Sequence, residues 1–303
     1  MPMKQTVTAI ITTYKTAHLL PRCVESVLAQ THPVDEILVV DDASGDGAAE
    51  ALAPYGDAVR LIERTVNSGA PSAPRNDGIR AATGEWLALL DADDRWLPEK
   101  IERQLATAEQ HTNAGLIYCD CIQVLPDGTQ LKNYHHNKKP VSGQVLDALI
   151  EDIFILPSSV MVRKNEVTAI NGFDEEIIGA EDCDLYFRLS LNKVEFWLTP
   201  EPLVLYERQP TSLSRDHLKM LRHQSRVWSK LLSENLTGEQ KKRVRHYLAG
   251  VYCDLAFRQR GSNWGRSVKD ACMYVRYAPL KPVAWKLLLA NASGLARSMP
   301  AEN

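Results

Sequence analysis

The sequence contains no apolar run of about 18 residues or more, the length that a helix needs to cross a membrane. Its N-terminal residues MPMKQTVTAI also lack the charged n-region and long apolar h-region of a secretory signal peptide. These two absences predict a soluble, cytoplasmic chain. The six cysteines include no CxxC pair, so we expect reduced thiols rather than a zinc site or a disulfide framework.

The sequence also lacks an excess of charge of either sign. It has 35 Lys and Arg against 38 Asp and Glu, so no basic field favours nucleic acid as a partner. The hydrophobic fraction of 45% over 303 residues is enough for one large α/β domain of about 200 to 250 residues and an appendage. Partners must therefore be inferred from local motifs.

Short β-branched runs alternate with amphipathic helical stretches in the first third of the chain. The runs are VTAII, EILVV, VRLI and WLALL, at 7–11, 36–40, 59–62 and 86–90. Repeated strand and helix units of this kind build a mostly parallel sheet flanked by helices, so we predict an α/β, Rossmann-like fold. Ligands of such folds bind at the carboxyl ends of the strands.

Polar residues follow three of these predicted strands. Thr12, Thr13 and Tyr14 come after the first, Asp41 and Asp42 after the second, and Asp91 to Asp94 after the fourth. The loop DDASGDG lacks the GxGxxG pattern that cradles a dinucleotide pyrophosphate, which disfavours a dehydrogenase. We therefore expect one polar edge that binds a different ligand.

Three carboxylates, Asp91, Asp93 and Asp94, are crowded into the stretch DADD. Like charges this close repel one another unless a cation or hydrogen-bond donors offset them. The stretch is therefore a candidate cation site. The alternative is an acidic loop cap without a ligand.

The pattern changes in the second half of the chain. Between 116 and 206, strand-like runs are interrupted by a helix that begins near Glu181 and places Asp182 in its inward-facing first turn. After about residue 215 the sequence is helical and lacks strand patterns. We predict two domains, 1–215 with the sheet and 216–303 as a helical C-terminal appendage.

Six segments carry a resemblance to a known family. They are VTAIITTYK, QTHPVDEILVVDDASGD, NSGAPSAPRNDG, ATGEWLALLDADDRWLPEKIE, NGFDE and AEDCDLYFRL. In this order they resemble the family 2 glycosyltransferases with the GT-A fold, over residues 5–215. The resemblance implies a transferase that moves a sugar from a nucleotide diphosphate, with uridine as the implied base, to an acceptor hydroxyl with inversion.

The resemblance also implies how the nucleotide is bound. By similarity, Thr12, Tyr14 and Asp42 would hold the base and ribose, and Asp41 would support their loop. Arg75 would approach the diphosphate or the uridine. These roles follow from the family resemblance and not from the spacing of the residues.

DADD matches the DxD motif of the family, so Asp93 would hold Mg2+ or Mn2+, with Asp91 and Asp94 in contact with donor sugar, ribose or metal. Such a cation can neutralise the charge that develops on a leaving diphosphate. Asp182 matches the catalytic base, which would take a proton from the acceptor hydroxyl. The alternative for Glu181 and Asp182 is that they only offset the dipole of their helix.

The chain departs from the family pattern in two places. TTYK stands where relatives usually have PTYN, which keeps Tyr14 and adds the cation of Lys15 near the nucleotide. YERQPTSLS stands where relatives often have YRxHxxS, so Gln209 takes the place of a histidine that sometimes reaches the metal or diphosphate. Whether Gln209 replaces that histidine functionally stays open.

The motif QxxRW of processive synthases is absent, since Gln224, Arg226 and Trp228 have a different spacing. A non-processive transferase is therefore favoured. Two other functions stay open: a nucleotide-sugar-binding protein without turnover, and a nucleotidyltransferase. The nucleotidyltransferase is disfavoured because TTYKTAHLL lacks a Gly-rich, basic phosphate loop.

The C-terminal stretch 260–303 is basic and aromatic. It carries seven Lys or Arg and two acids, with four interleaved aromatic residues, Trp264, Tyr274, Tyr277 and Trp285. A basic helix with aromatic residues can lie on an anionic membrane. We therefore predict peripheral contact of 260–303 with the inner face of a membrane, where a lipid-linked acceptor would be found. The alternative is a packed appendage with a solvated basic face.

Overall fold

The computed structural model of the protein describes residues 5–208, 216–260 and 262–292. Gln209 and the end of the predicted membrane-contact stretch, 293–303, lie outside these residues. Clustering of contacts divides the chain into two units, Met1–Ser212 and Leu213–Asn303. The first unit contains the sheet, and the described part of the second is helical.

One sheet of nine strands, counted over the described residues, forms the centre of the first unit. The strands are β1 (Val7–Thr13), β2 (Glu36–Asp41), β3 (Arg60–Glu63), β4 (Trp86–Asp91), β5 (Arg95–Trp96), β6 (Ala114–Val124), β7 (Gln130–Asn133), β8 (Met161–Arg163) and β9 (Glu195–Glu207). Their order is β3-β2-β1-β4-β8-β6-β9-β5, and β7 pairs with β6. The long ladders β1–β2, β1–β4, β2–β3 and β6–β9 are parallel, while β5, β7 and β8 pair antiparallel over a few residues. The predicted mostly parallel sheet is therefore confirmed.

Helices flank this sheet, as the sequence pattern predicted. They are α1 (Leu20–Leu28), α2 (Ala48–Leu52), α3 (Ser72–Ala81), α4 (Lys100–Gln110), α5 (Leu146–Glu151), α6 (Lys164–Ala169) and α7 (Glu181–Leu191). Every residue of β1 is buried, because helices cover both faces of the central strands. At Gly78 in α3 a Cβ atom would come 2.5 Å from Ile10 Cγ2. The absence of a side chain there lets α3 lie directly on the sheet and brings Arg75, about one turn earlier, towards the strand ends.

The second unit consists of helices α8 (His217–Ser233), α9 (Gly238–Gln259), α10 (Trp264–Tyr277) and α11 (Pro282–Ala292) in its described part. Thr237 and Gln240 form a capping box that starts α9. Trp228 of α8 is fully buried and stacks on Tyr247 of α9, with ring centroids 4.3 Å apart. The predicted helical C-terminal segment is confirmed for the described residues. None of the helices described here is long and apolar enough to span a membrane.

Candidate active site

The carboxyl ends of β1, β2 and β4 form a polar edge of the sheet. Parallel pairing places Thr12 opposite Asp91 of β4, and Thr13 opposite Asp41 of β2. The Thr12 hydroxyl donates a hydrogen bond of 3.3 Å to Asp91 Oδ1. Tyr14, on the loop after β1, is half exposed, so its ring is accessible to a ligand. The polar residues that follow these strands in the sequence therefore lie at one edge.

Asp41 joins the loops that follow β1 and β2. Its carboxylate accepts hydrogen bonds from the Ser44 hydroxyl and, at 2.9 Å, from Ser44 N. Lys15 N donates to Ser44 Oγ at 2.9 Å, and the Lys15 ammonium donates to the Ser44 carbonyl. Ala17 N donates to Asp46 Oδ2 at 2.9 Å. The sequence predicted that Lys15 adds a cation near the nucleotide. In the structure Lys15 links the loop after β1 to the loop after β2 through these hydrogen bonds.

Asp42 is buried and surrounded by donors from the loop after β3. Ser68 donates to it through the backbone N at 3.1 Å and the hydroxyl at 2.8 Å, and Asn67 Nδ2 donates at 2.9 Å. Arg64 Nε lies 2.9 Å from Asp42 Oδ1 in an ion pair. Sequence reasoning assigned no role to these three residues, although Asn67 and Ser68 belong to one of the resembling segments. Asp42 therefore positions the loop NSG beside the strand ends.

Asp94 is buried in the protein and bound to internal donors. The Ser158 hydroxyl donates to Asp94 Oδ2 at 2.5 Å, and Glu207 N donates to Oδ1 at 2.9 Å. Burial raises the pKa of Asp94 well above its usual value, and the charges of Asp93 and Asp91 raise it further. These bonds give Asp94 a structural role, and the contact with donor sugar, ribose or metal that the resemblance implies stays a prediction. Ser158 was not assigned this role from the sequence.

Asp93 differs from Asp91 and Asp94 because, among the described residues, its carboxylate forms no ion pair and accepts no hydrogen bond from another residue, whereas Asp91 pairs with Arg75 and Asp94 is hydrogen-bonded to Ser158 and Glu207 N. Burial raises the pKa of Asp93 to about 6, and the negative charge of Asp91 contributes. Arg22 Nη2 donates to the backbone oxygen of Asp93 at 3.3 Å and pairs with Glu207 at 2.6 Å. In the described part of the chain, no three His, Cys, Asp or Glu side chains gather into a group that could hold a metal ion.

Arg75 connects the DADD stretch to the start of α7. Its side chain is only 3% exposed, with Nη2 at 2.7 Å from Asp91 Oδ1 and Nη1 at 2.7 Å from Glu181 Oε1. Burial by itself would lower the pKa of Arg75, but the two carboxylates raise it well above its usual value. The resemblance implies contact with diphosphate or uridine. In the structure the guanidinium is bound to two carboxylates of the protein, and its contact with a ligand stays a prediction.

Arg75→Gln is expected to reduce the free energy of unfolding by about 3 to 5 kcal/mol, because two carboxylates lose their buried cation. Denaturant unfolding measures this loss. Arg80→Gln is the matched control in the same helix, since Arg80 is 63% exposed in its pair with Asp77, and it should change stability by about 1 kcal/mol or less. Equal losses in the two variants would contradict a linking role for Arg75.

Asp182 is the second residue of α7 and is partly exposed. Ala180, just before the helix, has a left-handed backbone with φ of 56°. Asp182 Oδ1 accepts a hydrogen bond of 2.9 Å from Cys183 N. Burial raises the pKa of Asp182 to about 6, the negative charge of Glu181 raises it too, and Arg75 opposes them. A carboxylate with a raised pKa is a stronger proton acceptor than an ordinary aspartate.

A family model described as "Glycosyl transferase family 2" matches residues 8–165. The matched region includes the strand ends with Thr12, Asp42 and Asp93, and it ends before Asp182. The match therefore covers the residues that the sequence predicts to bind the donor, and it does not include the predicted base.

Curated relatives are named as glycosyltransferases or for polysaccharide biosynthesis. The poly(ribitol-phosphate) beta-glucosyltransferase of Bacillus spizizenii is 42% identical over 29% of this chain and 15% of its own length. The succinoglycan biosynthesis protein ExoO of Rhizobium meliloti is 40% identical over 34% of this chain and 30% of its own length. The putative teichuronic acid biosynthesis glycosyltransferase TuaG of Bacillus subtilis is 29% identical over 55% of this chain and 66% of its own length. The chain thus covers less than two thirds of each of these relatives.

Solved structures show the same fold at low sequence identity. TarS 1–349 of S. aureus in complex with UDP-GlcNAc matches with a TM-score of 0.71 and 16% identity, over 96% of this chain and 89% of that one. The mannosyltransferase PcManGT of Pyrobaculum calidifontis, in complex with GDP-Man and Mn2+, matches with a TM-score of 0.63 and 17% identity, over 98% and 87%. At such identities the likeness concerns the fold alone.

The fold, the order of the sequence segments and the family match agree with one another. The match covers more than half of the 303 residues, and it confirms the resemblance found in the sequence. This chain therefore belongs to glycosyl transferase family 2.

Proposed function

We propose that this protein is a metal-dependent, inverting glycosyltransferase that moves a sugar from a nucleotide-diphosphate sugar, a UDP-sugar, to an acceptor hydroxyl in polysaccharide or glycoconjugate biosynthesis. The observation that carries the proposal is the pair of 2.7 Å contacts from Arg75, which tie Asp91 at the end of β4 to Glu181 at the start of α7. These contacts support a common site for the neighbouring carboxylates Asp93 and Asp182. A donor diphosphate at Asp93 would then lie near an acceptor hydroxyl at Asp182.

The nucleotide would lie on the loops after β1 and β2. The half-exposed ring of Tyr14 is suited to contact the base, and Thr12 and Asp42 would contribute to the base and ribose site. Asp41 would hold these loops in place through Ser44. The complexes of TarS with UDP and with UDP-GlcNAc favour uridine, and the complex of PcManGT with GDP-Man makes guanosine the competing base.

The chemistry around Asp93 fits a divalent cation. A carboxylate without an ion-pair partner among the described residues, whose pKa is raised to about 6 by burial and by Asp91, is stabilised by a nearby positive charge. Carboxylate oxygen is a preferred ligand of Mg2+ and Mn2+. Asp93 would hold this cation through its carboxylate. The bound cation would offset the charge that develops on the leaving diphosphate.

Asp182 would act as the general base. The acceptor oxygen forms a bond to the anomeric carbon while its proton passes to the Asp182 carboxylate, and the bond from that carbon to the diphosphate breaks with its electron pair on the diphosphate. Attack from the side opposite the leaving group inverts the configuration. A positioned base accelerates such a step by about 10²- to 10⁴-fold. Arg75 would position Glu181, the neighbour of the base, and would not itself take part in the proton transfer.

The acceptor would be a glycan or a lipid-linked sugar. Relatives named for succinoglycan and teichuronic acid biosynthesis support a surface polysaccharide as the product class. A lipid-linked acceptor would place the enzyme in the cytoplasm at the inner face of a membrane.

The donor should reveal itself by stabilising the protein. With Mn2+ present, the true nucleotide sugar at about 100 times its dissociation constant should add about 2.7 kcal/mol to the free energy of unfolding and raise the melting temperature. The screen compares UDP-sugars with GDP-mannose and repeats each measurement in EDTA. Stabilisation by GDP-mannose and not by any UDP-sugar would contradict the proposed base.

Incubation of the chosen donor with a panel of acceptors tests the reaction class. Transfer of the sugar to an acceptor, with release of the nucleoside diphosphate, is the expected result. Binding without turnover would favour the nucleotide-sugar-binding protein, and release of pyrophosphate from a nucleotide and a sugar phosphate would favour the nucleotidyltransferase.

A further inference from the structure

Helix α11 presents apolar side chains to solvent. A surface helix of a globular protein normally carries polar residues on its outward side. The inward side of α11 packs against the other helices, since Ala284 is buried in a cluster with Ala249 of α9 and Tyr274 of α10. The exposed apolar side chains in and just before the helix are Leu280 at 94%, Val283 at 61%, Trp285 at 48% and Leu289 at 66%.

The indole N–H of the exposed Trp285 already has a hydrogen-bond partner within the protein. Trp285 Nε1 donates a hydrogen bond of 2.8 Å to the Pro279 carbonyl. The part of the ring that faces outward is therefore apolar, and its transfer into a less polar medium breaks no hydrogen bond of the indole. Such a ring is suited to the boundary between headgroups and acyl chains.

The charge around this surface has one sign. Between residues 262 and 292 the exposed cations are Arg266, Lys269, Arg276, Lys281 and Lys286. The single acid of this range, Asp270, is buried and lies 2.6 Å from Arg222 in an ion pair. Lys281 and Lys286 alternate along the chain with the four exposed apolar residues. A partner that fits this surface is therefore apolar and negatively charged.

We propose that the segment 280–289, with Leu280, Val283, Trp285 and Leu289 as its apolar contacts, binds the surface of an anionic membrane as an interfacial helix. The apolar side chains would enter the headgroup boundary, and Lys281 and Lys286 would lie among anionic headgroups. An anionic lipid bilayer is the favoured partner because it offers negative headgroups to Lys281 and Lys286 and an apolar interior to the four apolar side chains of the same segment. The inference goes beyond the proposed function, since it would hold for any activity of the first unit.

Vesicle flotation tests the proposal without donor or acceptor. The full chain is expected to float with phosphatidylglycerol-containing vesicles, to float weakly with pure phosphatidylcholine, and to lose part of the binding at raised salt because the charges are screened. The variant V283E/L289E should bind at least about tenfold more weakly, since two carboxylates replace the apolar contacts. The matched control L28E/L131E makes the same change in charge at two exposed apolar positions of the first unit and should bind like the wild type.

Thermal melting checks that both double variants are folded. Because they change only exposed side chains, their melting temperatures should be close to that of the wild type. Equal flotation of V283E/L289E and the wild type, or no flotation of the wild type, would overturn the proposal. So would a concentration-dependent dimer, seen by light scattering, that V283E/L289E abolishes while vesicles bind neither protein. In that case the surface is an interface between copies of the chain.

Discussion

Asp182→Asn is expected to lower the rate of sugar transfer by about 10²-fold or more and to leave the affinity for the donor nearly unchanged. Asparagine has almost the same volume as aspartate, but it cannot accept the proton of the acceptor hydroxyl. Donor affinity by calorimetry and transfer rate should be measured on the same preparation. Binding without chemistry is the expected signature of a lost base.

Asp147→Asn is the matched control for this variant. Asp147 is the second residue of α5, as Asp182 is of α7, so both substitutions remove a negative charge from the first turn of a helix. If Asp182 only offsets the dipole of its helix, both variants should lose a few tenths of a kcal/mol of stability and keep their activity. Transfer by Asp182→Asn within about threefold of the wild type would remove the catalytic assignment.

The pH dependence of transfer should report the same group. A general base works only when it is deprotonated, and the pKa of Asp182 is raised to about 6 by burial and by Glu181. Donor-saturated transfer should therefore be independent of pH above this value and fall by about tenfold per pH unit well below it. A rate that stays constant down to pH values near the ordinary pKa of aspartate would contradict this role.

Asp93→Asn is expected to lower activity by orders of magnitude in a folded protein and to weaken Mn2+-dependent binding of UDP. The substitution replaces a charged oxygen ligand by a neutral amide, which binds a hard divalent cation less strongly. Binding of UDP should be measured with Mn2+ and in EDTA for wild type and variant. The two proteins should differ with Mn2+ and behave alike in EDTA.

Asp94→Asn provides the contrast within the same four residues. Its carboxylate accepts hydrogen bonds from Ser158 and from Glu207 N, so an amide in its place should cost about 1 to 3 kcal/mol of stability. The response of the remaining activity to Mn2+ should be unchanged. Full activity of the wild type in excess EDTA, or equal Mn2+ dependence in Asp93→Asn and the wild type, would remove the metal hypothesis.

The alternation of strands and helices could be predicted from the sequence because each element repeats a local pattern of apolar residues. The predicted runs at 7–11 and 86–90 correspond to β1 (Val7–Thr13) and β4 (Trp86–Asp91). The helix predicted near Glu181 begins at that residue. The antiparallel insertion of β8 between β4 and β6 could not be predicted from the sequence, since pairing of strands far apart in the chain leaves no local pattern.

The sequence by itself determined the family, the parallel half of the sheet and the position of polar residues at its strand ends. Which carboxylates are bound inside the protein was decided by tertiary structure alone. Arg75 reaches Glu181 across 106 positions of the chain, and Ser158 reaches Asp94 across 64. Those contacts depend on sheet register and on the close approach of α3 at Gly78. Because of them, Asp91 and Asp94 are bound to other groups of the protein, whereas Asp93 is not bound in this way among the described residues. The three carboxylates of DADD differ in burial and in hydrogen-bond donors, so they differ in the groups they can bind. The spacing of the residues in the sequence does not encode these differences.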